Sequence, residues 1–118
     1  VSLGLTKELE ELLGAYNEEA PESADYPYSV FSTVRTGESD GLQTYNLEIN
    51  VWDQHKNYSR AESTMDALEQ KLHRCNYSTD KFLIRIFRGQ RQNVVDPDKS
   101  IKRVREQFEM QVYLREEF

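Results

Sequence analysis

The sequence predicts an α+β fold: an antiparallel four-stranded sheet with two helices packed on one face, in the order α-β-β-α-β-β. Three observations carry this. Leu5, Leu9, Leu12, Leu13 and Tyr16 recur at helical spacing. Residues 44–53 alternate, with Tyr45, Leu47, Ile49 and Val51 on one face and Asn46, Glu48 and Asn50 on the other. A second helical stripe begins after Ser59. At 118 residues the chain is the size of one domain, residues 1–118.

In the first helix Thr6 is the expected N-cap, and the acids after it suit the positive end of the helix dipole. Residues 17–27 read as a loop, because Pro21 and Pro27 both refuse helix. Residues 28–35 are rich in β-branched and aromatic side chains and form the first strand. Thr36-Gly37-Glu38-Ser39-Asp40-Gly41 is the turn into the second, which ends at Trp52 on its polar face. The second helix spans residues 59–75. Ser59 and Glu62 have capping-box spacing, and Ala61, Met65, Leu68, Leu72 and Cys75 form a narrow core stripe. Asn76 is the expected left-handed stop. Residues 82–88 place Ile84 and Ile86 on one face and Leu83 and Phe87 on the other, so this strand is apolar on both faces and central. Residues 89–99 read as a polar connection. The last strand alternates at Phe108, Met110, Val112 and Leu114, while Ile101, Val104 and Phe108 also fit a helix, leaving its start open.

Composition narrows the function. Hydrophobic residues are 37%, enough for one modest core, and thirteen aromatic residues argue against disorder. A net charge of −6 does not suit coating nucleic acid by bulk charge. No apolar run approaches the ~18 residues of a membrane helix. Charges within residues 1–14 make a signal peptide unexpected. One cysteine cannot form an internal disulfide and fits a reducing cytosol. The charge is also segregated: residues 1–26 carry a balance of −6 and residues 81–105 one of +6. Such segments can fold against each other, remain solvated, or dock head to tail on a second copy.

The chemistry of catalysis is thin. His73 reads as a surface group at a helix end and His55 as part of a polar turn. Cys75 reads as a buried thiol without a second cysteine for a metal site. No glycine-rich phosphate loop is present. Adjacent acids (Glu10-Glu11, Glu18-Glu19, Glu116-Glu117) read as solvated charge. Tyr26-Pro27-Tyr28 joins an acidic loop to the first strand, with Pro27 holding the chain extended; Tyr26 is a candidate contact.

Three stretches together resemble a known family. They are Ala20-Pro21-Glu22-Ser23-Ala24-Asp25-Tyr26-Pro27-Tyr28-Ser29-Val30-Phe31, Leu47-Glu48-Ile49-Asn50-Val51-Trp52-Asp53 ahead of a polar loop and long helix, and Asp96-Pro97-Asp98 between the closing strands. In order and spacing the chain resembles the tail-terminator and tail-completion proteins of long-tailed phages and prophages. The resemblance implies a structural protein with no catalysis, cofactor or metal. It implies a ring, commonly of six copies, that ends the tail tube and joins it to the head. DNA passes through that ring without specific binding, and no membrane is involved. The partners implied are further copies, tail-tube proteins and head-connector proteins. The place implied is the virion tail or neck, after synthesis in the host bacterial cytoplasm. Charge segregation suits such a ring independently. The expected subunit interface joins Glu8, Glu11, Glu18 and Glu19 of one copy to Arg85, Arg88, Arg91 and Lys102 of the next, with Tyr26 and Trp52 as apolar contacts. Two other classes stay open on residues alone. One is an acidic cytosolic binding module or inhibitor that masks a basic partner. The other is a small enzyme acting through His55 and Asp53.

Overall fold

A computed structural model describes residues 3–114. Its elements are α1 (Leu3–Leu13), β1 (Tyr16–Asn17), β2 (Tyr28–Ser39), β3 (Leu42–Gln54), α2 (Ser59–Leu72), β4 (Cys75–Ser78), β5 (Phe82–Val95) and β6 (Ile101–Leu114). They build one six-stranded sheet in the order β1-β2-β3-β6-β5-β4. β1 runs parallel to β2 and every other pairing is antiparallel.

The expected four-stranded antiparallel sheet in the order α-β-β-α-β-β is therefore corrected. The sheet is mixed and six-stranded, and the chain is mostly β. The extra strands have physical reasons for being hidden. β1 has only two residues, too few for any periodicity. β4 begins at Cys75, which stands in phase with the helical stripe before it. The backbone nonetheless leaves the helix earlier: His73 is extended (φ −61, ψ 120) and Arg74 is left-handed (φ 62). The Arg74 amide then donates to the Ile86 carbonyl, so the chain has already joined the sheet. Arg74, not Asn76, takes the left-handed position.

Other boundaries move as well. Thr6 lies inside α1, which begins at Leu3. The turn between β2 and β3 shrinks to Asp40 and Gly41, both left-handed (φ 49 and 82). That is the conformation which the Asp-Gly pair favours in two-residue hairpins. β6 is strand from Ile101 onward, and residues 89–95 are strand rather than connection. Ser59 and Glu62 form no capping box. The Asn57 Oδ1 instead accepts from both the amide (3.1 Å) and the hydroxyl (2.6 Å) of Ser59, fixing the turn into α2. Glu116 and Glu117 lie outside the described residues.

The core follows from alternation. Tyr45, Leu47, Ile49 and Val51 of β3 are buried beside Val104, Phe108, Met110 and Val112 of β6, with Ile84 and Ile86 of β5 next to them. Leu5, Leu9 and Leu13 of α1 and Ala61, Met65 and Leu72 of α2 join the same cluster. The stripe of α2 thus lies on the odd-numbered face of β3, as its spacing predicts. Full burial of one such aliphatic side chain contributes roughly 1.5–3 kcal/mol. Leu68 only packs against the cluster's margin. Leu68→Ala should therefore cost about 1 kcal/mol, whereas a fully buried leucine costs about 2–5. Urea denaturation measures this; a loss above about 3 kcal/mol would mean that Leu68 is more deeply seated.

Candidate functional site

The most heavily charged part of the helix-covered face is built by an irregularity in β5. Arg88 lies opposite Phe108 and Arg91 opposite Glu106, so three steps along β5 match two along β6. This is a β-bulge, and it reverses the facing of every residue after it. Simple alternation would turn Arg91 away from Arg88; the bulge turns both towards α2. Gly89 makes the geometry possible, because a Cβ at that position would run into the Gln107 carbonyl oxygen.

Arg91 is the hub. Its Nε donates to Glu106 Oε1 at 2.7 Å, its Nη1 to Asp66 Oδ1 at 2.6 Å and its Nη2 to Glu69 Oε2 at 2.8 Å. Arg88 Nη1 donates to Glu69 Oε1 at 3.2 Å. Glu106 sits opposite Ile49 with no exposed surface, and its Oε2 has no hydrogen-bond partner among the described residues. Burial pushes its carboxyl up to about 7; the Arg91 bond opposes that shift, and Glu69 adds to it. Glu69 is held below the usual range. Its own burial works against this, but the hydrogen bonds from Arg88 and Arg91 and the nearby Arg91 charge outweigh it. A second buried carboxylate, Asp53, receives Arg60 through Nε (2.9 Å) and Nη2 (2.5 Å). That hydrogen-bonded guanidinium holds Asp53 below its ordinary value despite burial. Both networks pin α2 to the sheet.

Among the described residues the other sheet face carries no helix. Arg103 Nε donates to Asn50 Oδ1 at 2.8 Å, Asn50 Nδ2 donates to Glu48 Oε2 at 3.1 Å, and Arg105 stands 3.7 Å from Glu48. Trp52 pairs with Tyr28 across the strands, and the Arg103 guanidinium lies 4.8 Å over its ring. Tyr28 is flanked by Tyr16 (6.4 Å between ring centroids) and Tyr26 (5.3 Å). An aromatic strip therefore crosses this end of the sheet. Beside it runs an open groove of about 790 Å³ between the start of β2 and α2, lined in part by Leu13, Tyr16, Pro27, Tyr28, Ala67 and Leu68.

The residues expected at a subunit interface are distributed over this frame. Glu11, Glu18 and Glu19 are exposed at the end of α1 and around β1, whereas Glu8 is half-buried and accepts from the Tyr77 hydroxyl at 3.1 Å. Tyr26 is 40% exposed, and Trp52 is half-buried. Arg85 is exposed on the uncovered face, 5.6 Å over the Phe87 ring. Lys102 lies 5.3 Å over the Tyr58 ring and donates to the Lys99 carbonyl at 2.7 Å. Among the described residues the partners of Arg88 and Arg91 are acids of α2 and β6, and not those of the N-terminal segment.

The structure also shows residues whose role spacing did not single out: Asp53, named above only beside His55, together with Arg60, Asp66, Glu69 and Glu106. A signal was available for two of them. Asp53 continues the apolar parity of Tyr45 to Val51, and Glu106 sits between Val104 and Phe108. An acid in phase with a buried face needs a basic partner that can reach it. His55 Nδ1 accepts from the Asn57 amide at 3.3 Å, and His73 Nδ1 accepts from the Arg88 amide at 3.1 Å; both serve turns or edges. Asp53 bonds Arg60, not His55. Burial pushes the Cys75 thiol up, which disfavours its nucleophilic form. Among the described residues no group of three or more His, Cys, Asp or Glu side chains is placed to hold a metal ion, and no helix is long and apolar enough to cross a membrane.

Residues 2–113 match the family model described as tail completion protein gp17. The chain belongs to that family. It is a structural protein of the phage tail and a component of the virion. No curated protein sequence matches it. A solved chain from the virion of a native gene transfer agent particle is similar in fold. Its TM-score is 0.69 at 14% identity, covering 94% of this tail completion protein and 88% of the other chain.

Proposed function

We propose that this tail completion protein assembles as a ring that ends the tail tube at its head-proximal side and joins it to the head. The observation that carries the reading is the family match over residues 2–113. Segregated charge supports it: a ring needs head-to-tail contacts, and the subunit offers exposed acids around α1 and β1 and exposed bases on β5. Six copies is the number that the family resemblance implies. In this proposal the neighbours are tail-tube and head-connector proteins, DNA passes through the lumen without specific contacts, and the protein performs no catalysis.

Contacts between Glu8, Glu11, Glu18 and Glu19 of one copy and the basic band of the next would set orientation. Exposed ion pairs contribute only ~0–1 kcal/mol each. Tyr26 and Trp52 would supply apolar contact. Arg91 also belongs to the proposed band, but its three internal carboxylate partners make it unsuitable for a test of assembly. Arg85→Glu with Arg88→Gln and Lys102→Glu is the informative variant. It should fold within about 1 kcal/mol of wild type and need a higher concentration to assemble in sedimentation. Unchanged assembly and unchanged tail joining would remove charge from the explanation.

A further inference from the structure

Each outer edge of the sheet is only half covered. β1 lies against β2 at Val30 and Phe31 and goes no further. β4 lies against β5 at residues 83–86 and goes no further. Among the described residues no strand flanks the rest of either edge. The outward-pointing backbone groups can be counted from those that are occupied. The Phe31 carbonyl accepts from Glu18, the Ile86 carbonyl accepts from Arg74, and the Arg88 amide donates to His73. Alternation then points Thr33 and Arg35 outward on β2. On β5 the bulge adds one residue, so the outward positions resume at Arg91, Asn93 and Val95.

Beside its β-bulge and its arginine, each edge keeps one stretch without the usual protection. Natural edge strands carry lysine or proline, or are covered, to prevent pairing with another chain. Residues 32–34 and 92–95 contain no charge and no proline. Both segments show an exposed valine, Val34 at 62% and Val95 at 86%. The bulge has turned the Arg91 side chain inward onto Glu106.

We propose that β5 of one copy pairs with β2 of the next, so that the sheet runs on from subunit to subunit. Three features on one chain select a second copy as the occupant. The first is direction. β2, β3, β6 and β5 alternate in sense, so a copy in the same orientation offers β5 antiparallel to β2. The second is facing. Thr33 pairs with Leu47 and Asn93 with Val104, so the outward residues of both edges lie on the helix-covered face. Joined edges keep all helices on one side. The third is register. β1 stops at Phe31, so Val95 of the incoming strand meets Thr33, and its Asn93 meets Arg35. This covers Val95 and keeps Arg91 from facing Arg35. The two edges sit on opposite sides of the sheet and cannot meet within one chain. In this register neighbours are offset by six residues, about 20 Å along the strands. The contact is heterologous, as a ring requires, and the inference rests on the ring reading.

Proline substitution tests it, because Thr33→Pro and Asn93→Pro each remove an outward amide that no described bond uses. Each variant should fold with a thermal midpoint close to wild type and sediment as a monomer at concentrations where wild type assembles. Mixed one to one they should stop at a dimer, because each retains the edge that the other lacks. Rings formed by either variant alone, or a mixture that stays monomeric, would overturn the pairing and leave the ring reading standing. A dimer of Asn93→Pro alone would replace it with pairing of β2 to itself. Wild type that neither assembles in solution nor caps purified tails would remove the ring reading itself. If a proline variant fails to fold, Thr33→Cys with Val95→Cys on a Cys75→Ser background should give a ladder of multimers with a short bis-maleimide. Its absence in assembled wild-type-like material would likewise exclude the contact.

Discussion

Arg91→Ala should destabilise the protein by about 3–5 kcal/mol at pH 8, where Glu106 is ionised and is left as a buried charge without its partner. Small domains are stable by only about 5–15 kcal/mol, so this variant should be largely unfolded in mild urea. The cause is local. Glu106 has no exposed surface, and one of its oxygens has no partner even in wild type. Without the Arg91 bond at 2.7 Å the other oxygen is orphaned too. Glu69 also loses its contact at 2.8 Å, and α2 loses a tie to the sheet. Glu106→Gln in the Arg91→Ala background should recover part of the loss by removing the buried charge.

The same pair sets a pH dependence. Glu106 titrates at about 7 in the folded chain, above the ordinary glutamate value of 4.5. Its protonated form is favoured by folding, so its contribution is fully present below the unfolded value and is lost as pH rises through about 7. Glu69, held low, contributes in the opposite sense, and its share is lost as pH falls. The Glu106 shift is the larger. Wild type should lose stability in urea between pH 5 and 8, and Glu106→Gln should flatten that slope. An equal slope in both proteins would contradict the assignment.

Gly89→Ala should cost about 3 kcal/mol. Overpacking against backbone alone costs roughly 1–3 kcal/mol. Here the added Cβ meets the Gln107 carbonyl oxygen, which a rotamer change cannot move. Relief requires β5 to shift at the bulge, and that shift withdraws Arg91 from Glu106. The two substitutions therefore act on one network. Gly89→Ala combined with Arg91→Ala should cost clearly less than the sum of the two alone. Strict additivity by denaturation would show that the bulge does not aim the arginine.

The long elements were legible because burial imposed a period on them. Residues 45–51 alternate since one face meets the helices, and Ala61, Met65 and Leu72 recur because one stripe of α2 meets that face. The missed elements lack such a signal. β1 is too short to repeat. β4 begins at a cysteine that continues the helical spacing, and the helix ends only in its backbone, at extended His73 and left-handed Arg74. Residues 89–95 of β5 are polar because they lie at an edge, where alternation does not separate core from solvent. The bulge at Gly89 has the largest consequence. It reverses the facing of Arg91, so parity counted from Ile84 and Ile86 assigns that side chain to the wrong face. Arg91, expected above only as part of a basic band, also has an internal partner in Glu106.

The proposal that this protein ends the tail tube and joins it to the head is tested most directly by electron microscopy of lysates from a phage or prophage that lacks it. Filled heads and separate tails should accumulate, and adding the purified protein should convert them into joined particles. Label against the protein should mark a single band at the head-proximal end of each tail. Complete, joined virions in its absence, or label along the tube or at the distal tip, would contradict the proposal.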